Sequence, residues 1–199
     1  SAWQFLQKET TVKFLSHFDP KTGLARRSLF CDRVARSLTD AHKRRARYAV
    51  AVLDIEQLSG INDAFGRHCG DLLLQHVADR LKRRFGESEQ LAHIGGGTFA
   101  LVRDITRLSP EELLQAMHEH AVALFGEPFI IEGRTIPVAV KTGIAFHPEN
   151  GKDAQTLVQN AEAALRNARA TGERQLRYSA ERHGEMLARL TLEHKLRKA

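Results

Sequence analysis

The sequence predicts an α+β fold, in which helices pack on a central, mostly antiparallel sheet. Residues 48–53 are apolar on both alternating faces, as is typical of a strand that other elements cover on both sides. Segments with apolar residues three and four positions apart predict amphipathic helices between the strands. Three successive glycines, at positions 95–97, interrupt a strand-like segment and predict a hairpin turn. Helices interleaved with hairpin-linked strands are typical of an α+β sandwich.

The composition indicates one domain. Its 199 residues, 42% of them apolar, are enough to bury one sizeable core, and no linker rich in proline, glycine or serine divides them. No apolar run approaches the roughly 20 residues that cross a bilayer, and the N-terminus lacks a signal-peptide pattern. We therefore expect a cytoplasmic domain, which a longer protein can still anchor to a membrane. Cys31 and Cys69 lack a CxxC partner and are expected to be reduced.

The net charge of +6 is concentrated at residues 43–47 and 80–84, near predicted helix ends. Cations at those positions complement the helix dipole, so a solvated surface is the simpler interpretation. No aromatic residues alternate with these charges to form a stacking surface. We therefore expect no nucleic-acid partner.

The first half of the chain predicts helices around one central strand. A helix over residues 3–18 ends at Asp19-Pro20, because proline cannot continue it. Amphipathic helices follow the turn at residues 18–27 and again follow Asp71. Between them, the strand at 48–53 leads to Asp54 at its carboxyl end, where carboxylates often hold metal ions.

The second half predicts further hairpins and helices. After the glycine turn, Ser109 opens a helix as a capping box, with proline at the first helical position. Residues 129–131 and 135–146 predict two strands joined by a turn. A helix over 153–169, a short strand over 175–178 and a helix over 179–199 complete the chain.

Several motifs resemble those of the GGDEF family, whose active members make cyclic di-GMP from two molecules of GTP. Residues 19–24, DPKTGL, resemble the D-x-LTGL motif, and residues 54–63 resemble the DIDxFKxIND block. Residues 66–71 resemble GHxxGD, and the glycine turn lies at the signature position. Residues 138–145 and 161–172 resemble a later strand and helix of the family. The resemblance implies a ferredoxin-like core, similar to that of nucleotidyl cyclases.

The resemblance also implies that the metal site is degenerate. Active members hold divalent ions with two carboxylates, because phosphoryl transfer requires neutralisation of charge. Asp54 matches the first, with the Ile55 carbonyl as its companion, but Gly97 occupies the position of the second. The next signature letter, normally acidic, is Thr98. We therefore expect any Mg²⁺ binding to be weakened, and no cofactor to be required.

Other positions that contact phosphate in active members are altered as well. Ser59 replaces a lysine, and Arg169 and Glu173 replace a lysine and an arginine. The R-x-x-D motif of product inhibition is missing at residues 86–89, so we expect no inhibitory cyclic di-GMP site. These changes predict that the domain is not a cyclase; the alternative is an active diguanylate cyclase with unconventional metal ligands.

The nucleotide-binding positions are better retained. Asn62 and Asp71 match the residues that read guanine in the family, and Gly95 and Gly96 permit close approach of a ligand. A structural interpretation is equally open, with Asn62 in a turn and Asp71 capping a helix. GTP is therefore a candidate ligand. His93 is a possible metal ligand but is more simply a structural histidine.

The C-terminal residues 190–199 resemble the R-L-x-L-E-x-x-L-R-x-A connector that leads from GGDEF domains into EAL phosphodiesterase domains. We therefore divide the chain into a connecting helix (1–18), a degenerate GGDEF domain (19–178) and a connector helix (179–199). The predicted function is a regulatory or scaffolding module, with a GTP-sensing role as one form of it. Its expected partners are a downstream EAL domain, an upstream sensor and a second copy in a homodimer.

Overall fold

The computed structural model describes residues 2–86 and 90–198 of the chain. The helices are α1 (Ala2–His17), α2 (Arg27–Arg44), α3 (Leu58–Phe65), α4 (Arg67–Phe85), α5 (Pro110–Phe125), α6 (Ala154–Thr171) and α7 (Ala180–Lys198). The strands are β1 (Tyr48–Ile55), β2 (Leu91–Gly95), β3 (Thr98–Asp104), β4 (Phe129–Ile131), β5 (Arg134–Ile136), β6 (Val140–His147) and β7 (Gln175–Arg177). The predicted loss of the product-inhibition motif falls largely on residues 87–89, which lie outside the described residues.

Five strands form the main sheet, in the order β2-β3-β1-β6-β7. The central strand β1 is antiparallel to β3 and β6, while β7 pairs in parallel with β6. Seven of the eight residues of β1 are buried, as the apolar run predicts. The predicted α+β fold with a mostly antiparallel sheet is confirmed.

Helices cover the sheet on both faces, and β1 alternates between the two cores. Val50 and Val52 pack with the apolar faces of α2 and α6. Ala49, Ala51 and Leu53 pack on the other side with α4, α5 and the small β4–β5 sheet. This alternation explains why β1 is apolar at every position before Asp54.

The predicted strand over residues 135–146 is wrong, because the chain divides it between two sheets. β5 pairs with β4, whereas β6 begins at Val140 and joins β1. Pro137 lies in the interval and has no N–H to donate to a strand ladder, so pairing is interrupted there. The turn between β4 and β5 holds Glu132 and Gly133 at positive φ, as the predicted hairpin requires.

The terminal helices α1 and α7 contain no buried residue. Large apolar side chains are exposed on both: Trp3, Phe5, Leu6, Val12, Phe14, Leu15, Leu187, Leu190, Leu192 and Leu196. None of the helices in the described residues combines the length and apolar character needed to cross a bilayer. The division of the chain into a domain with two connecting helices stays a prediction.

Arg80 of α4 clamps the loop between α5 and β4. Its guanidinium donates to the backbone carbonyls of Leu124 (2.7 Å), Glu127 (3.0 Å) and Pro128 (3.0 Å). It also stacks on Phe129, 3.5 Å from the ring centroid. A planar group with several donors is required to make these contacts at once.

We predict that Arg80→Met lowers the free energy of unfolding by about 2 kcal/mol, because several carbonyl acceptors lose a charged donor. Arg80→Lys should restore less than half of that loss, since one ammonium cannot reproduce the planar fork. Urea denaturation measures both values. Arg83→Met, on the exposed side of the same helix, is the matched control. Equal stability of the Met and Lys variants with the parent protein would contradict the clamp.

Candidate functional site

An open cleft of about 1090 Å³ lies where the 19–24 loop, α2, α3, α4 and the tip of the β2–β3 hairpin meet. All four predicted nucleotide-binding residues line it: Asn62, Asp71, Gly95 and Gly96. The predicted metal residues Asp54 and Ile55 do not line it. The structure therefore brings the four predicted nucleotide-binding residues together and leaves the predicted metal residues outside the cleft lining.

The predicted glycine hairpin is present between β2 and β3. Gly95 and Gly96 both have positive φ, and the strand register shifts between His93 and Gly95. A Cβ atom at either glycine would meet no heavy atom within 4 Å. The glycines are thus required by backbone conformation rather than by crowding, and their peptides are open toward the cleft.

Asn62 lies in α3, so its predicted alternative position in a turn is wrong. Gly70 of α4 packs against it: a Cβ atom at position 70 would lie 1.8 Å from Asn62 Oδ1. That oxygen is buried and has no hydrogen-bond partner among the described residues. Gly70 is therefore needed to seat the Asn62 side chain beside the cleft.

Asp71 lies in the second turn of α4, so its predicted alternative role as a helix cap is wrong. The N-cap of α4 is Gly66, which bends the chain between α3 and α4 with φ of +90°. The Asp71 carboxylate instead accepts a hydrogen bond from Lys21 Nζ at 2.8 Å. Both side chains are partly exposed, at 51% for Lys21 and 38% for Asp71.

Asp54 is engaged by two other side chains at the carboxyl end of β1. Its Oδ1 accepts a hydrogen bond from the Thr98 hydroxyl at 2.8 Å. Its Oδ2 lies 2.7 Å from Nη2 of Arg169, at the end of α6. Only 18% of the Asp54 side chain is exposed, so the ion pair is partly shielded from water.

Gly97 lies directly beside the Asp54–Ile55 backbone. The Ile55 amide donates to the Gly97 carbonyl at 3.0 Å, which closes the end of the hairpin on β1. A Cβ atom at position 97 would lie 3.2 Å from Leu58 Cδ2 and 3.4 Å from the Ile55 carbonyl oxygen. A larger residue at this position would therefore need its neighbours to shift by a few tenths of an ångström.

The remaining altered positions form further charge pairs. Lys141 lies 3.5 Å from Glu56 and donates to the Glu173 carbonyl at 3.2 Å. The Glu173 carboxylate lies 3.5 Å from Arg182 of α7. Ser59, at the lysine position of the family motif, is exposed at the start of α3. Acidic and basic groups thus neutralise each other around the carboxyl end of β1.

His93 bridges the glycine turn and the 19–24 loop, which supports its structural interpretation. Its Nδ1 lies 3.0 Å from the Asp19 carboxylate and its Nε2 lies 2.7 Å from the Gly96 carbonyl. Thr22 donates to the same carboxylate through its amide and hydroxyl. Within residues 2–86 and 90–198, no cluster of three metal-ligating side chains is found.

Asp19 is buried, and its pKa reflects opposing influences. Burial, the largest single influence, raises the pKa, but hydrogen bonds from Thr22 and the neighbouring His93 ring together hold it below its ordinary value. Asp19 is therefore ionised in the folded domain at neutral pH.

The family follows from a match over most of the chain. The family described as "Diguanylate cyclase, GGDEF domain" matches residues 16–175. The chain belongs to the GGDEF family. It is a GGDEF domain of cyclic di-GMP signalling.

Two curated relatives from Pseudomonas aeruginosa are much longer than this chain. The GGDEF domain is 26% identical to the cyclic di-GMP phosphodiesterase NbdA over 95% of the chain, and 31% identical to the bifunctional diguanylate cyclase/cyclic di-GMP phosphodiesterase MucR over 79%. The matches cover 24% and 23% of those proteins, so the chain spans about a quarter of their length. The solved GGDEF domain of TpbB from the same species is 27% identical, with a TM-score of 0.78, and the match covers 86% of this chain and 99% of that one.

Sequence reasoning missed two pairings in the GGDEF domain. Arg169 was recognised as a substitution, but nothing in its local sequence connects it with Asp54. Lys21 could have been noticed from the sequence, because the D-x-LTGL motif has an apolar residue at that position and this chain has a charged one. Its contact with Asp71 joins residues 50 positions apart and required the fold to be seen.

We predict that Asp19→Asn lowers the free energy of unfolding by about 1–2 kcal/mol at pH 7, because charge-assisted hydrogen bonds to His93 and Thr22 are lost. A carboxyl whose folded-state pKa is lowered stabilises the fold above its unfolded-state pKa, near 3.9. The difference between the two proteins should therefore shrink as the pH falls below about 4. Urea titrations from pH 7 to 3.5 measure it, with exposed Asp63→Asn as the control. A difference that grows on acidification would contradict the pairing.

Proposed function

We propose that this GGDEF domain is catalytically degenerate and acts as a regulatory or scaffolding module in cyclic di-GMP signalling. One observation carries the proposal: the Asp54 carboxylate is already engaged by the Arg169 guanidinium and the Thr98 hydroxyl. The carboxylate that could hold a divalent ion is thus neutralised within the chain.

The residues around Asp54 do not fit a divalent metal ion. A Mg²⁺ ion prefers near-octahedral oxygen coordination and usually takes one or two carboxylates from the protein. Here one carboxylate is paired with a cation, and Gly97 provides no side chain opposite it. An ion would have to displace Arg169 and leave that guanidinium without its partner. We therefore propose at most weak Mg²⁺ binding at this position.

The alternative of an active cyclase with unconventional ligands would need another carboxylate. Glu56 is the nearest candidate in sequence, two residues after Asp54. It is paired with Lys141 at 3.5 Å, so it offers no unpaired charge. Both acidic side chains are thus occupied, Asp54 by Arg169 and Thr98 and Glu56 by Lys141. Their pairing favours the degenerate interpretation over an active cyclase.

We predict that the purified domain, supplied with GTP and Mg²⁺ or Mn²⁺, makes no cyclic di-GMP above background. Gly97→Glu combined with Thr98→Glu should remain inactive, because Arg169 still pairs with Asp54 and Ser59 and Glu173 remain unsuited to phosphate. Product is measured by chromatography. Steady formation by the parent protein would overturn the proposal, and strong rescue by the double variant would show that the missing acids were the only defect.

We also propose that GTP binds weakly as an effector. The cleft retains Asn62 and Asp71, and the open Gly95 and Gly96 peptides leave room for a ligand. A carboxylate can accept from both N1–H and N2–H₂ of guanine, whereas adenine offers a different edge, so GTP should be preferred over ATP. Because the metal site is neutralised by Arg169, Mg²⁺ should add little to this affinity.

The regulatory part of the proposal depends on α7. Its C-terminal sequence resembles the connector to EAL domains. NbdA is, by name, a cyclic di-GMP phosphodiesterase, and MucR is a bifunctional diguanylate cyclase and phosphodiesterase. Glu173 pairs with Arg182 of α7, so a substituted site position contacts the connector directly. We propose that α7 leads into an EAL domain in a longer cytoplasmic or membrane-anchored protein, with a sensor upstream and a homodimer as a possible assembly.

We predict that inserting two alanines after Arg182 changes the phosphodiesterase activity of the full-length protein. The insertion rotates the following helix face by about 200°, at ~100° per residue. A seven-residue helical insertion is the control, because about 700° returns the face to within ~20° of its original direction. Purified proteins are compared by hydrolysis of cyclic di-GMP. Unchanged activity after the two-residue insertion would remove the basis for coupling through α7.

A further inference from the structure

We infer that Lys21 sets the purine selectivity of the cleft by competing with guanine for Asp71. This inference rests on the proposed binding of GTP. The observation behind it is the hydrogen bond from Lys21 Nζ to Asp71 Oδ1 at 2.8 Å, inside the lining of the cleft. A purine base that hydrogen-bonds to the Asp71 carboxylate must therefore either bind beside the Lys21 ammonium or displace it.

The backbone that presents Lys21 is held in place. The Asp19 amide donates to the Leu24 carbonyl at 2.8 Å, and the Gly23 amide donates back to the Asp19 carbonyl at 2.7 Å. Lys82 of α4 donates to the Thr22 carbonyl at 2.9 Å. The loop is thus fastened on both sides of Lys21. Lys21 can therefore reach Asp71 without ordering of the loop backbone, and only its side chain has to be ordered.

The competition has a defined chemical consequence for purines. Asp71 alone presents two acceptor oxygens, which match the adjacent N1–H and N2–H₂ donors of guanine. With Lys21 on Oδ1, the pair presents a donor beside an acceptor. That arrangement also fits the adenine edge, where N1 accepts and the 6-amino group donates. Lys21 therefore lowers the preference for guanine that Asp71 would otherwise impose.

Attraction of the triphosphate does not depend on Lys21. Arg26, Arg27 and Arg67 also line the cleft. Arg27 is paired with Glu162, so Arg26 and Arg67 supply the positive charge that remains when Lys21 is neutralised. Removing one positive charge weakens the binding of GTP and of ATP by the same factor, because both carry the same triphosphate. The ratio of the two affinities cancels that shared effect and reports the contact with the base.

The test is titration calorimetry of the protein with GTP and with ATP, without added metal. Lys21→Met should raise the GTP-to-ATP affinity ratio by about two- to fivefold, the range expected for an exposed ion pair. Lys21→Arg keeps the pair and should leave the ratio near that of the parent. Lys43→Met, an exposed lysine outside the cleft lining, is the charge-matched control.

A second variant tests whether Lys21 acts through Asp71. In Asp71→Asn, substitution of Lys21 by Met should no longer raise the ratio, because the contested carboxylate is gone. Thermal unfolding of each variant checks that the fold is intact. If GTP binds but Lys21→Met leaves the ratio unchanged, or the gain survives in the double variant, the inference about Lys21 is overturned alone. If GTP binds no variant at millimolar concentration, the proposed nucleotide recognition is overturned together with it.

Discussion

Burial of β1 on both faces is the constraint from which the arrangement of the site follows. A strand covered by helices on each side must be apolar until it leaves the core, so its first charged side chain, Asp54, emerges at the carboxyl end. Antiparallel pairing then places Thr98 of β3 directly opposite it, and Lys141 of β6 on the other side. The end of α6 brings Arg169 to the same point. Strand register and the end of α6 thus decide which side chains surround Asp54.

Several acidic side chains at the end of β1 and in the cleft are paired with basic side chains of the same chain. Three ion pairs show this: Asp54–Arg169, Glu56–Lys141 and Asp71–Lys21. In a site built for a metal–nucleotide complex, acidic groups would be left for the ions and basic groups for the phosphates. The pairing in this chain reduces both kinds of unpaired charge. These pairs support the proposed regulatory or scaffolding role over one that stabilises a highly charged transition state.

Periodicity and motif spacing predicted the architecture well, because both depend on neighbours in sequence. The strand before Asp54, the glycine turn and the capping box at Ser109 were all found where the residues indicated. Sequence reasoning failed at Pro137, where the chain moves from one sheet to another. It also did not predict α3, and it placed the start of the next helix after Asp71 rather than at Arg67. The four predicted nucleotide-binding residues all line one cleft, but the partner of Asp71 was not predicted, because the Lys21–Asp71 ion pair depends on tertiary structure.

The pairing of Arg169 with Asp54 has a consequence for how the domain responds to its surroundings. A bound ion occupies its site according to its free concentration, and a chelator removes it. A guanidinium tethered to the same chain has an effective local concentration that dilution does not change. If the proposed weak binding of Mg²⁺ holds, the ionic state around Asp54 depends little on the supply of divalent cations. A signalling module with this property would keep the same ion pair at the end of β1 when magnesium levels vary.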